Sequence, residues 1–116
     1  MTTAKRIFES KMLSEKYGAL GKVAGRYIKA GYSIRDVDLE ERSFIAVRRG
    51  EKLLVKVVWN VNKIDDSMLD ELKNKAETLN AKPLLIVYGG KPRVSVIRSI
   101  IDSIKARGIS FRRIKP

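Results

Sequence analysis

Two acidic clusters and one misplaced cation are the residues of this chain best placed to do chemistry. Asp36, Asp38, Glu40 and Glu41 crowd one short segment, and Asp65 and Asp66 are adjacent further along. Carboxylates grouped this way could collect a hard divalent cation. Lys56 stands inside the apolar run Leu53-Leu54-Val55-Lys56-Val57-Val58. A cation there must snorkel to a strand edge, pair with a carboxylate or meet an anionic ligand. The chain has no Cys and no His. Disulfides, thiolate or imidazole metal sites and the commonest general base are therefore excluded. Any catalysis would run on carboxylates, Lys, Tyr or Ser. The plain alternative for the acids is a solvated turn and a helix N-cap. Gly89-Gly90-Lys91, followed by Pro92, lacks the spacing of a phosphate-cradling loop and reads as a turn.

Binding is the stronger signal. Lys and Arg number 25 against 13 Asp and Glu, for a net charge of +12 and a pI near 10.2. Self-repulsion of this size opposes compaction and is usually kept for a polyanionic partner. Nucleic acid is the expected partner, because affinity there comes from phosphate neutralisation. The cations fall into three groups. Arg48, Arg49 and Lys52 flank Gly50. Lys22, Arg26 and Lys29 recur at helical spacing. A C-terminal set holds Lys91, Arg93, Arg98, Lys105, Arg107, Arg112, Arg113 and Lys115, opposed only by Asp102. Tyr17, Tyr27, Tyr32, Tyr88 and Trp59 do not form a spaced stacking motif, so base-specific readout is not expected. No apolar run approaches the roughly 20 residues of a membrane span, and the start leads into no signal-peptide core. The expectation is a cytoplasmic protein, free or nucleoid-associated, with no membrane partner. The lack of Cys and Gln with 33% charged residues fits a thermophile.

The elements that must position these residues follow from periodicity. Residues 1–10 read as a loose basic leader. Leu13, Tyr17, Leu20, Ala24, Tyr27 and Ile28 form one apolar stripe of a helix over 11–30, with Lys22, Arg26 and Lys29 opposite. Gly18, Gly21 and Gly25 lie along the border of the two faces and suggest a close neighbour. Gly31 ends that helix. A strand is predicted over 32–37, and the stretch 43–59 reads as two β-rich runs flanking a short break that carries Gly50. A second helix is capped by Asp65, Asp66 or Ser67, with Ser67 and Asp70 spaced as a capping box. Leu84–Tyr88 is apolar without alternation, as in a parallel strand covered on both faces. A third helix runs over 94–107 and a last strand over 109–114. The result is one domain, 1–116, with a mixed α/β sheet and helices on both faces.

That order, with a polar-tipped hairpin after the first strand, resembles the restriction-endonuclease-like PD-(D/E)XK nucleases, and among them the archaeal Holliday junction resolvases. The resemblance implies an αβββαβ core, here with an added C-terminal helix and strand. It also implies a homodimer acting on structured or duplex DNA, with DNA favoured over RNA. In that family the first helix ends in a Gly-aromatic pair, here Gly31-Tyr32. An Asp opens the second strand and a Glu-x-Lys motif lies near the end of the third; the carboxylates bind Mg²⁺ and the Lys assists the attacking water. This chain has Ser43 where the Asp would stand. It has Lys56-Val57-Val58 where Glu-x-Lys would stand, or Val57-Val58-Trp59 if shifted by one. The family's first-helix Glu falls near Leu20. Ser43, Lys56 and Val58 are thus vestigial positions, with no catalytic residue, metal or other cofactor expected. The expected function is a non-catalytic nuclease-fold protein that binds nucleic acid through Lys22, Arg26, Lys29, Arg48, Arg49, Lys52, Lys56, Arg112 and Arg113. The alternatives are a divergent metal-dependent endonuclease or junction resolvase, and a basic subunit of a larger nucleoprotein assembly. Mg²⁺ enters only with the first, through a migrated site drawn from Asp36, Asp38, Glu40, Asp65 and Asp66.

Overall fold

Unalternated apolar runs mark the middle of a sheet, and the two such runs of this chain pair side by side. The structure, a computed structural model, describes residues 18–58, 64–88 and 94–114. The expected leader, the first turns of the first helix, Trp59 and the Gly89-Gly90-Lys91 turn lie outside the described residues. Five strands form one mixed sheet in the order β1-β2-β3-β4-β5: Ser33–Asp38, Ser43–Arg48, Glu51–Val58, Lys82–Tyr88 and Ser110–Ile114. Three helices accompany them: α1, Ala19–Lys29; α2, Asp66–Thr78; and α3, Val94–Ala106. The order of elements is the expected one. The chain divides into two compact units, residues 1–52 and 53–116.

In the first unit, α1 buries Leu20, Val23, Ala24 and Ile28, the expected stripe, and packs on β1 and β2. Gly21 and Gly25 are buried within it. Gly18 differs from expectation. It precedes the helix with φ 62°, a left-handed conformation that no α-helix interior accepts, so the described helix begins at Ala19. The helix stops at Gly31, as expected. With φ 99° it lets its own N–H donate to the Ile28 carbonyl at 3.0 Å, while the Tyr32 N–H donates to the Tyr27 carbonyl at 2.9 Å. These two bonds satisfy end carbonyls that helical geometry leaves open. The chain then enters β1, which pairs antiparallel with β2. One extra residue in β1 between Arg35 and Asp38 makes a bulge, with Asp36 at φ 54°. Asp38 Oδ1 accepts from the N–H groups of Glu40 and Glu41 at 3.0 and 3.1 Å, closing the turn that leads to Ser43.

In the second unit, β3, β4 and β5 run parallel, Val57 beside Ile86 and Ile86 beside Arg112. Leu84, Leu85, Ile86 and Val87 are all buried, so β4 is covered on both faces, as its sequence requires. Parallel connections of this kind are right-handed in nearly all proteins, and two in succession that advance in one direction place both helices on one face; α2 packs on β4 and α3 on β5. Leu69, Leu72 and Ala76 of α2 and Ile104 of α3 are buried there. Burial of each large side chain contributes about 1.5–3 kcal/mol. Asp65 caps α2, its Oδ1 accepting from the Met68 N–H at 2.8 Å. The Ser67–Asp70 capping box is not used, because the helix already begins at Asp66 and Ser67 lies inside its first turn; Asp70 pairs with Arg107. Both helices end in the device seen in α1. The left-handed residue is Asn80 after α2 and Gly108 after α3, and Ala81 and Ile109 donate back to the carbonyls of Ala76 and Ile104.

Candidate nucleic-acid interface

The link from β2 to β3 is two residues long, and both are left-handed: Arg49 has φ 47° and Gly50 φ 79°. That pair of angles is the signature of the primed turns whose twist matches a hairpin. Glycine adopts it freely. Arginine does not, since positive φ brings Cβ against the following carbonyl. Arg49 is exposed at this tip.

Arg48, the residue before it, is engaged by the fold. Its guanidinium lies 4.3 Å from the centroid of the Tyr32 ring, its Nη1 donates to the Ala30 carbonyl at 2.9 Å, and its Nη2 is 3.9 Å from Glu51 Oε2. The Tyr32 hydroxyl donates to the same Glu51 oxygen at 3.2 Å. Tyr32 in turn meets Tyr27 edge-on at 5.4 Å, and Tyr27 meets the fully buried Phe44 at 5.9 Å. An aromatic ladder therefore runs from the core to Arg48, and Arg48 ties the C-terminal end of α1 to the end of β2.

This tie brings two of the three expected cation groups together. Lys22, Arg26 and Lys29 lie at i, i+4 and i+7 on α1, all exposed, in a helix with no acidic residue. Such spacing forms one row along the helix surface. The row ends at Lys29, beside the Ala30 carbonyl that Arg48 holds. Arg26 and Lys29 in the last turn also complement the negative end of the helix dipole. Lys52, on the far side of the tip, is half-buried.

The C-terminal group is not one group. Arg112 and Arg113 are adjacent on β5, so strand alternation sends them to opposite faces of the sheet. Lys56 stands beside Leu85, which stands beside Phe111, two residues before Arg113. Lys56, half-buried, therefore shares a face with Arg113 and not with Arg112. Arg107 is occupied within the fold. Its Nε donates to Asp70 Oδ1 at 2.8 Å, its Nη2 lies 3.2 Å from Asp66 Oδ1 and its Nη1 donates to the Ser103 carbonyl at 3.0 Å. Hydrogen bonding to Asp70 raises the Arg107 pKa above its ordinary value. Arg98 and Lys105 are exposed on α3. Lys91, Arg93 and Lys115 lie outside the described residues.

The model of a PD-(D/E)XK superfamily domain matches residues 18–110. The chain belongs to this superfamily. Neither a curated protein nor a solved structure matches it.

A PD-(D/E)XK site needs carboxylates around a divalent cation. The resemblance puts Ser43 and Lys56 where such carboxylates would stand. Ser43, at the start of β2, is 5% exposed and carries no charge, and Lys56 brings a positive one. Three of the candidate acids have other partners: Asp38 closes its turn, Asp65 caps α2, and Asp66, with Asp70, faces Arg107. Among the described residues no three Asp or Glu side chains gather closely enough to hold a metal ion.

Sequence reasoning gave Arg48 and Arg49 one role, and the fold gives them two. The signal for the difference was present. A two-residue hairpin link takes positive φ at its first residue in type II′ and at both in type I′, so with Gly50 second the residue before it is left-handed either way. The Arg107 tie to Asp66 and Asp70 joins residues far apart in sequence, with no local pattern to announce it.

Proposed function

We propose that this chain is a nucleic-acid-binding member of the PD-(D/E)XK superfamily that does not cleave its partner. One observation carries the reading: Ser43 and Lys56 occupy the places where the resemblance puts the motif's carboxylates, in a chain of net charge +12. A cation at a metal-ligand position repels Mg²⁺ and attracts phosphate. Binding then rests on neutralising phosphates and releasing counterions, with no chemical step. The resemblance to junction resolvases supports structured or duplex DNA as partner and a homodimer as the working form.

The test is incubation of four-way-junction and linear duplex DNA with the protein in Mg²⁺ and in Mn²⁺. Retarded, intact DNA is the expected result. Metal-dependent cutting that survives Lys56→Ala but is lost in Asp36→Ala or Asp38→Ala would overturn it. Light scattering of the free protein and of the complex tests the dimer.

A further inference from the structure

We infer that the phosphate backbone of a nucleic-acid duplex docks on the edge formed by the α1 row and the β2–β3 turn, through Lys22, Arg26, Lys29 and Arg49. This rests on the nucleic-acid reading above and assigns it a surface. That surface is not the end of β2 where the superfamily's motif begins.

Three observations converge on it. The first is Arg49 itself. Its φ of 47° belongs to Asn, Asp or Gly, and an arginine there gives up local stability. Departures from local preference of this kind are expected where a residue serves function. The second is the polarity of the first unit. Ser43 opens β2 next to the turn carrying Glu40 and Glu41, and Arg48 and Arg49 end it. At about 3.3 Å per residue the two ends of β2 stand roughly 17 Å apart. The acidic turn repels a polyanion from the Ser43 end, and the basic tip attracts one to the other. The third is the tie from Arg48 to Ala30, which joins the tip to a helix bearing three cations and no acid.

The chemistry favours duplex over single strands. Binding of single strands relies on bases stacking on accessible aromatic rings. Here Tyr27, Tyr32 and Phe44 are turned on one another, and Arg48 covers Tyr32. No aromatic side chain among the described residues falls in the exposed class. The row from Lys22 to Lys29 spans about 10 Å at the helical rise. A duplex carries about one negative charge per 1.7 Å of its axis, so phosphates of any sequence come within reach of such a row.

The experiment is fluorescence anisotropy in a salt series, using a mixed-sequence DNA duplex, the matching single strand, poly-glutamate and anionic lipid vesicles. Wild type is compared with K22E/K29E/R49E and with K75E/K82E, which reverses two exposed lysines outside every cation group named above. A second variant, K22A/K29A/R49N, keeps the test valid should the charge reversals disturb folding, which circular dichroism reports. The expected result is duplex binding that weakens at least about tenfold in both tip variants. The salt slope becomes shallower by about 0.9 for each phosphate no longer neutralised. The K75E/K82E variant stays within about threefold of wild type. Duplex binding by wild type that the tip variants leave intact overturns the surface and spares the proposed function. No nucleic-acid binding by wild type overturns both. Stronger binding to single strands, poly-glutamate or vesicles than to duplex overturns the assigned partner.

Discussion

The guanidinium of Arg48 stacks 4.3 Å from the Tyr32 ring centroid while donating to the Ala30 carbonyl. One side chain thereby closes the C-terminal end of α1 and the end of β2. Its neighbour Arg49 makes no such tie among the described residues and sits in a backbone conformation that disfavours it.

Opposite stability effects should follow at these two positions. Arg48→Ala removes a charge-assisted bond and a cation–π interaction at a partly exposed site, for a loss of about 1 kcal/mol. Arg49→Asn installs an Asn-Gly turn and gains about 0.5 kcal/mol. Urea denaturation of the two variants measures both. Equal losses would show that Arg49 is also part of the frame.

Arg107→Ala should lower the melting temperature by a few degrees, since Asp66, Asp70 and the Ser103 carbonyl are all deprived of a partner. The pH dependence has a definite sign. Folding raises the Arg107 pKa, so its contribution is whole below the ordinary guanidinium value and is lost only as pH climbs through the higher folded value. The difference between wild type and variant should therefore be flat between about pH 7 and 10. Calorimetry across that range checks it; a difference that fades by the upper end would assign the effect to another group.

The helix stops offer a matched pair. Asn80 at φ 53° and Gly108 at φ 71° occupy the same position after α2 and α3. Asn80→Gly should stabilise by about 0.5 kcal/mol, and Gly108→Ala should destabilise by about 1 kcal/mol. A Cβ at Gly108 meets nothing within 4 Å, so the loss would come from backbone conformation and not from collision. Thermal melts of both variants measure the signs.

Metal should leave the protein indifferent. Adding Mg²⁺ at about 10 mM should not move the melting temperature, since only a cation bound to the native state stabilises it. Ser43→Asp buries a carboxylate and should destabilise by about 1–3 kcal/mol without creating a Mg²⁺-dependent melting shift. A shift restored by that single change would mean that the remaining ligands are already in place.

Much of this fold was legible in the sequence. The stripe of Leu20, Ala24 and Ile28 gave α1 and its basic face, and Gly31 gave its end. The unbroken run Leu84–Val87 gave a parallel, doubly covered strand. These are local patterns, and burial enforces them residue by residue. The arrangement of cations was less legible, because it depends on backbone angle and on pairing. Arg112 and Arg113 are neighbours in sequence and sit on opposite faces of the sheet. Arg48 and Arg49 are neighbours too, but Arg48 is held by an aromatic ring and by a helix end 18 residues away. Asp70 has the spacing of a cap and is taken by an arginine far along the chain.

The outer strands of the sheet carry one more consequence. β1 is kinked by its bulge at Asp36, and β5 is short and bears exposed Arg112 and Arg113. An approaching strand would meet a broken template on one side. On the other, a second copy would set arginines against arginines. Both rims of the sheet thus offer a poor template for an added strand.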